Sequence, residues 1–310
     1  MRVRLDAGVR APGIAAYSEG LAASLGDVEL VRPPGGLLSR LVWRERHRDL
    51  TADVLVVTNP ELPLRRLPMP VVVVVHDVFP LTSPSLTGPA QRLRFKLLLP
   101  RVCARADRVV CVSEATRTAL IEHVEVDPEK VVVIGQGPSP FPVLPREPQD
   151  YLLYVGELFP RKNIGVLAGQ RLLIAGPGEP KDLPAGAEHL GFVSPQRLAE
   201  LYAGAAALVL PSLDEGFGRT MLDAFARDVP VIASDIPALR ELSGGAAHLV
   251  AEPGNPAAWR AAVEAVPAAE AEMVERGRER AQAYAWPAIA DQWRDLLRSL
   301  RASSRRSCGT

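Results

Sequence analysis

Residues 212–235 read SLDEGFGRTMLDAFARDVPVIASD, and the order of residue types in this stretch decides what the rest of the chain has to be. The apolar run 205–210 ahead of it has strand character and is ended by Pro211 and Ser212. Gly216 and Gly218 then permit a tight backbone, and Met221, Leu222, Phe225 and Ala226 begin a helical pattern. A second apolar run, 229–234, has the unbroken character of a strand covered on both faces. Strand, glycine turn, helix and strand is the repeating unit of an open parallel sheet. The amides at such a helix start lack intrahelical partners and can face an anion. Glu215 before the helix and Asp223 about one turn inside it would set two carboxylates on different sides of one ligand.

Upstream, the same unit recurs. In DYLLYVGELFPRKN (150–163) a strand ends at Gly156, and a short loop carries Arg161 and Lys162 into a helix predicted to start at Asn163. Two adjacent cations at a helix entrance after a strand suit a diphosphate. RLLIAGPG (171–178) reads as a strand with a glycine exit, HLGFVS as another, and PQRLAELYAGA as a helix. Downstream, AAHLVAEPGNPAAWRAAV gives a strand, a turn and a helix. Two helices are predicted to finish the chain at about 268–284 and 287–301, with SSRRSCGT as a frayed tail.

The first half has its own set. Residues 1–6 read as a strand, Gly8 and Gly13 interrupt, and Ile14, Tyr17, Leu21 and Leu25 recur at helical spacing. Residues 33–50 are a loop and a basic segment, followed by strands at 53–59 and 70–78. His76 and Asp77 close the second of these, at the strand edge where open α/β sheets bind ligands. RVVCVS (108–113) is a strand whose Ser113 is a predicted N-cap, and KVVVIG closes the half. GQGPSPFPVLPREPQ (135–149) has five prolines, two glycines and no periodicity, and reads as a linker.

A chain of 310 residues calls for about two domains, and 47% hydrophobic residues suffice for two cores. Lys plus Arg and Asp plus Glu balance at 36 each, which argues against a nucleic-acid partner. Cys103, Cys111 and Cys308 have neither metal nor redox spacing and fit a reducing cytoplasm. The N-terminus reads as a strand rather than a signal core, and no apolar run approaches a span of ~20 residues, so a soluble or peripheral protein is expected. If the helical phase predicted over 89–106 is carried on to 108 and Pro100 does not change it, Arg94, Arg101, Arg105 and Arg108 fall within ~60° of each other. This basic edge permits contact with the inner face of a membrane. Because apolar residues surround the helix, the favoured reading is a packed helix with a solvated basic edge.

YVGELFPRKN, LLIAGPGE, LGFVS, AELYAGAAALVLPSLDEGFGRTMLDAFARDVPVIASDIPALRE and LVAEPGNP, in this order, resemble the retaining glycosyltransferase family 4; HDVFP and VCVSEATRTALIE resemble its first domain. The resemblance implies the α/β GT-B fold, two Rossmann-like domains with parallel sheets facing a central cleft. The expected division is 1–140 joined by the final helix 287–301, which crosses back, and 141–286 for the nucleotide sugar. It also implies a nucleoside diphosphate sugar as co-substrate, no cofactor and no metal. Carried over by position, Arg161 and Lys162 neutralise the donor diphosphate and Glu215 meets the sugar hydroxyls. Phe217, Gly218, Arg219 and Thr220 form the loop at sugar and phosphate, Asp223 holds the ribose, and His76 lies near the donor sugar. Gly13 approaches the phosphates, while Gly156 and Phe192 line the donor site, with base contacts around 191–194. The acceptor would be a glycan, lipid-linked or small-molecule hydroxyl.

The chain departs from the family at several points. Asp223 is one methylene shorter than the usual Glu, Arg219 and Thr220 replace a smaller or apolar pair, and 163–171 leaves room for barely two helical turns. The N-terminal loop APGIAAY is also poorer in glycine than its usual counterpart. A weakened or non-catalytic homologue and a nucleotide-sugar epimerase of the same fold therefore stay open. A glycoside hydrolase using Glu215 and Asp223 is disfavoured, because it has no diphosphate to hold.

Overall fold

The apolar runs pair into two all-parallel sheets in the computed structural model, which describes residues 2–7, 12–31, 52–59, 67–178 and 183–307; at 12 and 302–307 the backbone alone is described. The chain divides into two units, Met1–Gly137 with Trp286–Thr310, and Pro138–Ala285. Gly8, the 33–50 segment and Cys308 lie outside the described residues.

The sheet of the first unit contains β1 (Val3–Asp6), β2 (Val28–Val31), β3 (Val54–Val57), β4 (Val71–Val75), β5 (Arg108–Cys111) and β6 (Val131–Val133), in the order β2-β1-β3-β4-β5-β6. All five residues of β4 are buried, as an unbroken valine run in the middle of a doubly covered sheet must be. Its helices are α1 (Pro12–Leu25), the single turn α2 (Phe79–Thr82), α3 (Pro89–Arg105) and α4 (Glu114–His123). Tyr17 and Leu21, predicted on one face of α1, are both fully buried. The predicted cap of α4 is formed: Ser113 Oγ accepts from the Thr116 amide at 2.9 Å.

The second unit contains β7 (Leu152–Val155), β8 (Leu172–Ala175), β9 (Ala187–Gly191), β10 (Ala207–Leu210), β11 (Val231–Ser234) and β12 (His248–Val250), in the order β12-β11-β10-β7-β8-β9. Counted within the unit this is 3-2-1-4-5-6, the dinucleotide-fold order, with its switch point between β7 and β10. The helices are α5 (Pro195–Gly204), α6 (Arg219–Phe225), α7 (Pro237–Ser243) and α8 (Pro256–Ala283). The chain then returns to the first unit in α9 (Trp286–Ser307), which packs on α1, with Arg294 Nη2 donating to the Ser24 carbonyl at 2.8 Å.

Three expectations are corrected. No α-helix starts at Asn163: two 3-10 turns, Pro160–Lys162 and Ile164–Leu167, are separated by Asn163 itself in the left-handed region at φ 53°. The expected helix at 268–284 is the second half of α8, which runs through Pro267 because Trp259, Ala262, Val266 and Met273 are buried on both sides of it. Their burial offsets the ~3 kcal/mol a proline costs inside a helix. Residues 303–307 continue α9 rather than fraying.

The 138–150 segment has no helix or strand and is fastened to the second unit. Arg227, a residue only 4% exposed, donates through its guanidinium to the carbonyls of Ser139, Phe141 and Pro142, and the guanidinium carbon lies 3.4 Å from the Phe141 ring centroid.

Candidate functional site

The switch point of the second sheet brings together the residues that follow β7 and β10. Glu215 sits where Lys162 and Arg161 converge: Lys162 Nζ donates to Oε1, and Arg161 Nη1 lies 3.4 Å from Oε2. Arg161 Nη1 also donates to the Asp214 carbonyl at 2.9 Å, and the Leu213 amide donates to the Arg161 carbonyl at 2.8 Å. The two loops are thus tied through backbone as well as charge. The three side chains are 12–17% exposed, so their attraction is weakly screened while the group still reaches solvent. Burial pushes the Glu215 carboxyl up, but Lys162 and then Arg161 outweigh it and hold the pKa below its ordinary value. Within this cluster two cations face one carboxylate.

Ser212 was not foreseen. Its hydroxyl donates to Glu215 Oε1 at 2.8 Å and helps to fix the carboxylate. The signal was present in the sequence, since Ser212 precedes Glu215 by three residues, the spacing at which a short side chain reaches back along a loop.

Glycine is required twice at these strand ends. A Cβ on Gly176 would stand 2.1 Å from the Gly156 carbonyl oxygen, so the loops after β7 and β8 can meet only there. Gly218 caps α6 at φ 95°, and a Cβ would meet Leu239 Cδ2 at 2.4 Å. The helix it opens has only seven residues, and its first turn holds no acid.

The remaining predicted residues of this unit fall into separate roles. Phe217 is buried, its ring edge on Tyr284 at 5.6 Å between centroids, so its backbone alone faces the loop. Arg219 and Thr220 are half-buried in the first turn of α6. Phe192 follows β9 and is 77% exposed, an aromatic face open to a planar partner. Asp223 is buried on α6; Oδ1 accepts from the Ser139 amide at 2.5 Å and Oδ2 from Ser139 Oγ at 2.9 Å. Burial raises its pKa against the opposing pull of Arg219, Ser139 and Arg227. The structure therefore joins Arg161, Lys162 and Glu215 in one cluster and seats Asp223 in another.

In the first unit His76 follows β4, where Nε2 lies 3.0 Å from the Thr58 carbonyl and the ring meets Tyr17 edge-on at 4.9 Å. A carbonyl can only accept, so Nε2 carries the proton, and in the neutral ring Nδ1 is the acceptor. Thr58 is itself fixed by its Oγ1 donating to the Asp6 carbonyl at 3.0 Å. Gly13 is exposed in the first turn of α1. Among the described residues, no group of three or more His, Cys, Asp or Glu is placed to hold a metal ion.

The strand order is that of a dinucleotide-fold unit, and the sequence narrows the class further. Residues 26–138 match the family described as Glycosyltransferase Family 4, and residues 149–267 match Glycosyl transferases group 1. The chain belongs to glycosyltransferase family 4, and its fold is GT-B. It is 30% identical over 214 residues to the O-antigen chain mannosyltransferase RfbU of Salmonella typhimurium, covering 62% of this chain and 59% of that protein. The chain spans less than two thirds of the length of the first curated relatives it matches. Sucrose-phosphate synthase from Thermosynechococcus elongatus superposes with a TM-score of 0.77 at 20% identity, over 98% of this chain and 100% of that one. Anabaena Alr3699/HepE in complex with UDP-glucose gives 0.75 at 15% identity, over 96% and 100%.

Proposed function

We propose that the chain moves a hexose-type sugar from a nucleoside diphosphate sugar to an acceptor hydroxyl, with retention at the anomeric carbon. The observation that carries this reading is the meeting of Arg161, Lys162 and Glu215 at the switch point of the second sheet. The bond from the sugar to the diphosphate breaks with its electron pair passing to the phosphate oxygen, and positive charge develops on the sugar. Arg161 and Lys162 stabilise the leaving diphosphate, and Glu215, held by Ser212, receives the sugar hydroxyls. The new bond forms on the face the diphosphate leaves, and the acceptor proton passes to the departing phosphate oxygen. His76 is assigned to the donor sugar, Gly13, Gly156 and the 217–220 backbone to its phosphates, and Phe192 to the base. Support comes from the UDP-glucose bound in the Anabaena structure and from the mannosyltransferase activity for which the Salmonella relative is named. The acceptor class is a glycan, lipid-linked or small-molecule hydroxyl.

The test is incubation with a panel of nucleotide sugars, with and without candidate acceptors. Acceptor-dependent release of nucleoside diphosphate, and an α-linked product from an α-linked donor, are expected. Lys162→Ala and Arg161→Ala should each lower kcat by about 10²- to 10³-fold. An isomerised donor would make the chain an epimerase. If no nucleoside diphosphate or nucleotide sugar raises the melting temperature, the reading fails.

A further inference from the structure

Asn163 joins the two 3-10 turns that follow β7, and the two turns have different surroundings. Ile164–Leu167 is anchored, because Val166 and Leu167 are buried in one core cluster with Trp259 of α8. Pro160–Lys162 carries the two cations and has no buried residue. The chain passes from one to the other at φ 53° and ψ 29°, a left-handed step that asparagine tolerates better than most side chains. From there Asn163 Nδ2 donates to the Pro253 carbonyl at 2.9 Å. Pro253 lies between β12 and α8, and β12 is separated from β7 by β10 and β11, so the bond ties two loops whose strands are not neighbours. The same carbonyl accepts from Trp259 Nε1 at 3.0 Å, and Trp259 is fully buried. One carbonyl oxygen thus serves a core indole and the residue next to Lys162, which fixes the acceptor before Asn163 reaches it.

A lysine is a point charge on a flexible stem, and its position depends on how firmly the backbone beneath it is held. The Leu213 amide holds Arg161 from the β10 side at 2.8 Å, and Asn163 holds the adjoining end of the turn from the β12 side. Charges stabilise a leaving group only when they are already in place. We propose that Asn163 is a positioning residue: its amide, bound to the Pro253 carbonyl, sets the angle at which the Arg161 and Lys162 turn leaves the core. It thereby sets where the two charges stand relative to Glu215 and to a diphosphate. The diphosphate half of this rests on the transfer reading above; the Glu215 half does not.

The experiment compares Asn163→Gly, which keeps the left-handed backbone and removes the amide, with Asn163→Ala, which removes both. The first readout is the affinity for UDP and for GDP by isothermal titration, well below the melting temperature. Asn163→Gly should weaken the nucleotide that binds by about tenfold. A merely structural role would lower the melting temperature and leave the affinity of the folded protein unchanged. The second readout needs no ligand: the difference in melting temperature that Glu215→Gln causes at neutral pH should narrow in the Asn163→Gly background. Full affinity in Asn163→Gly, with loss in Asn163→Ala alone, would place the effect in the backbone step and overturn the proposal. If the wild type binds neither nucleotide, the transfer reading fails by itself; an unchanged Glu215 difference then overturns the positioning role as well, and a narrowed one sustains it.

Discussion

Both carboxylate oxygens of Asp223 are taken by a single residue, Ser139, through its amide at 2.5 Å and its hydroxyl at 2.9 Å. Asp223 lies on α6 and Ser139 in the proline-rich segment 84 positions earlier, so the pair fastens the start of that segment to the helix. Arg227, one turn further along, closes the same knot through three carbonyls of that segment. A ribose at Asp223 would have to share or displace Ser139. Asp223→Ala and Ser139→Ala are each expected to cost about 1–3 kcal/mol in denaturant unfolding. The double variant should fall short of their sum by at least ~0.5 kcal/mol. Strict additivity would remove the fastening role from the pair.

Glu215 should carry the opposite pH signature to a simple buried acid. Its carboxyl is held below the ordinary value of 4.5 by Lys162 and Arg161 despite burial. A depressed pKa contributes stability that is present above the unfolded value and lost as the pH falls through the folded one. Glu215→Gln should therefore destabilise by on the order of 3 kcal/mol at neutral pH, because it leaves two largely buried cations without their anion. The difference from wild type should close as the pH is lowered through the acid range below 4.5. Thermal melts of both proteins from pH 7 to pH 3.5 check this, and a gap that stays constant would show that the charge of Glu215 is not what matters.

Trp286 opens α9 against two glycines. A Cβ on Gly137 would meet its ring at 2.6 Å, and one on Gly20 at 2.2 Å. An indole held between a helix and a loop has no flexible end to yield. Gly137→Ala should cost about 1–3 kcal/mol by overpacking, read as a lowered melting temperature, and Gly137→Ala with Trp286→Leu should recover part of it. Equal losses in the single and double variants would place the effect in the backbone instead.

Much of the fold was legible because its signals are local. The valine run of β4, the glycine exits of β7 and β8 and the Ser113 cap each act within a few residues. The Arg161, Lys162 and Glu215 cluster could be read as three candidates, since strand ends in an open sheet share one edge. Their mutual pairing could not, because it depends on β7 and β10 being neighbours, a fact of strand order. The Asp223 anchor was illegible for another reason: its partner lies in a segment without periodicity. Asn163 misled in another way. A polar residue that tolerates the left-handed region breaks the turn where the strand-loop-helix order suggested a helix start. The continuity of α8 through Pro267 shows burial overriding a local stop signal.

Gly137 is the last residue of the first unit before the chain leaves it, and Trp286 the first on its return; the two are packed together. Topologically, residues 138–285 are an insertion into a protein whose own ends of thread already lie side by side. A shortened gene joining Gly137 to Trp286 through a few residues would encode the complete six-stranded sheet with its last helix in place. The second unit would likewise be a separable cassette, carrying the Arg161, Lys162 and Glu215 cluster with it.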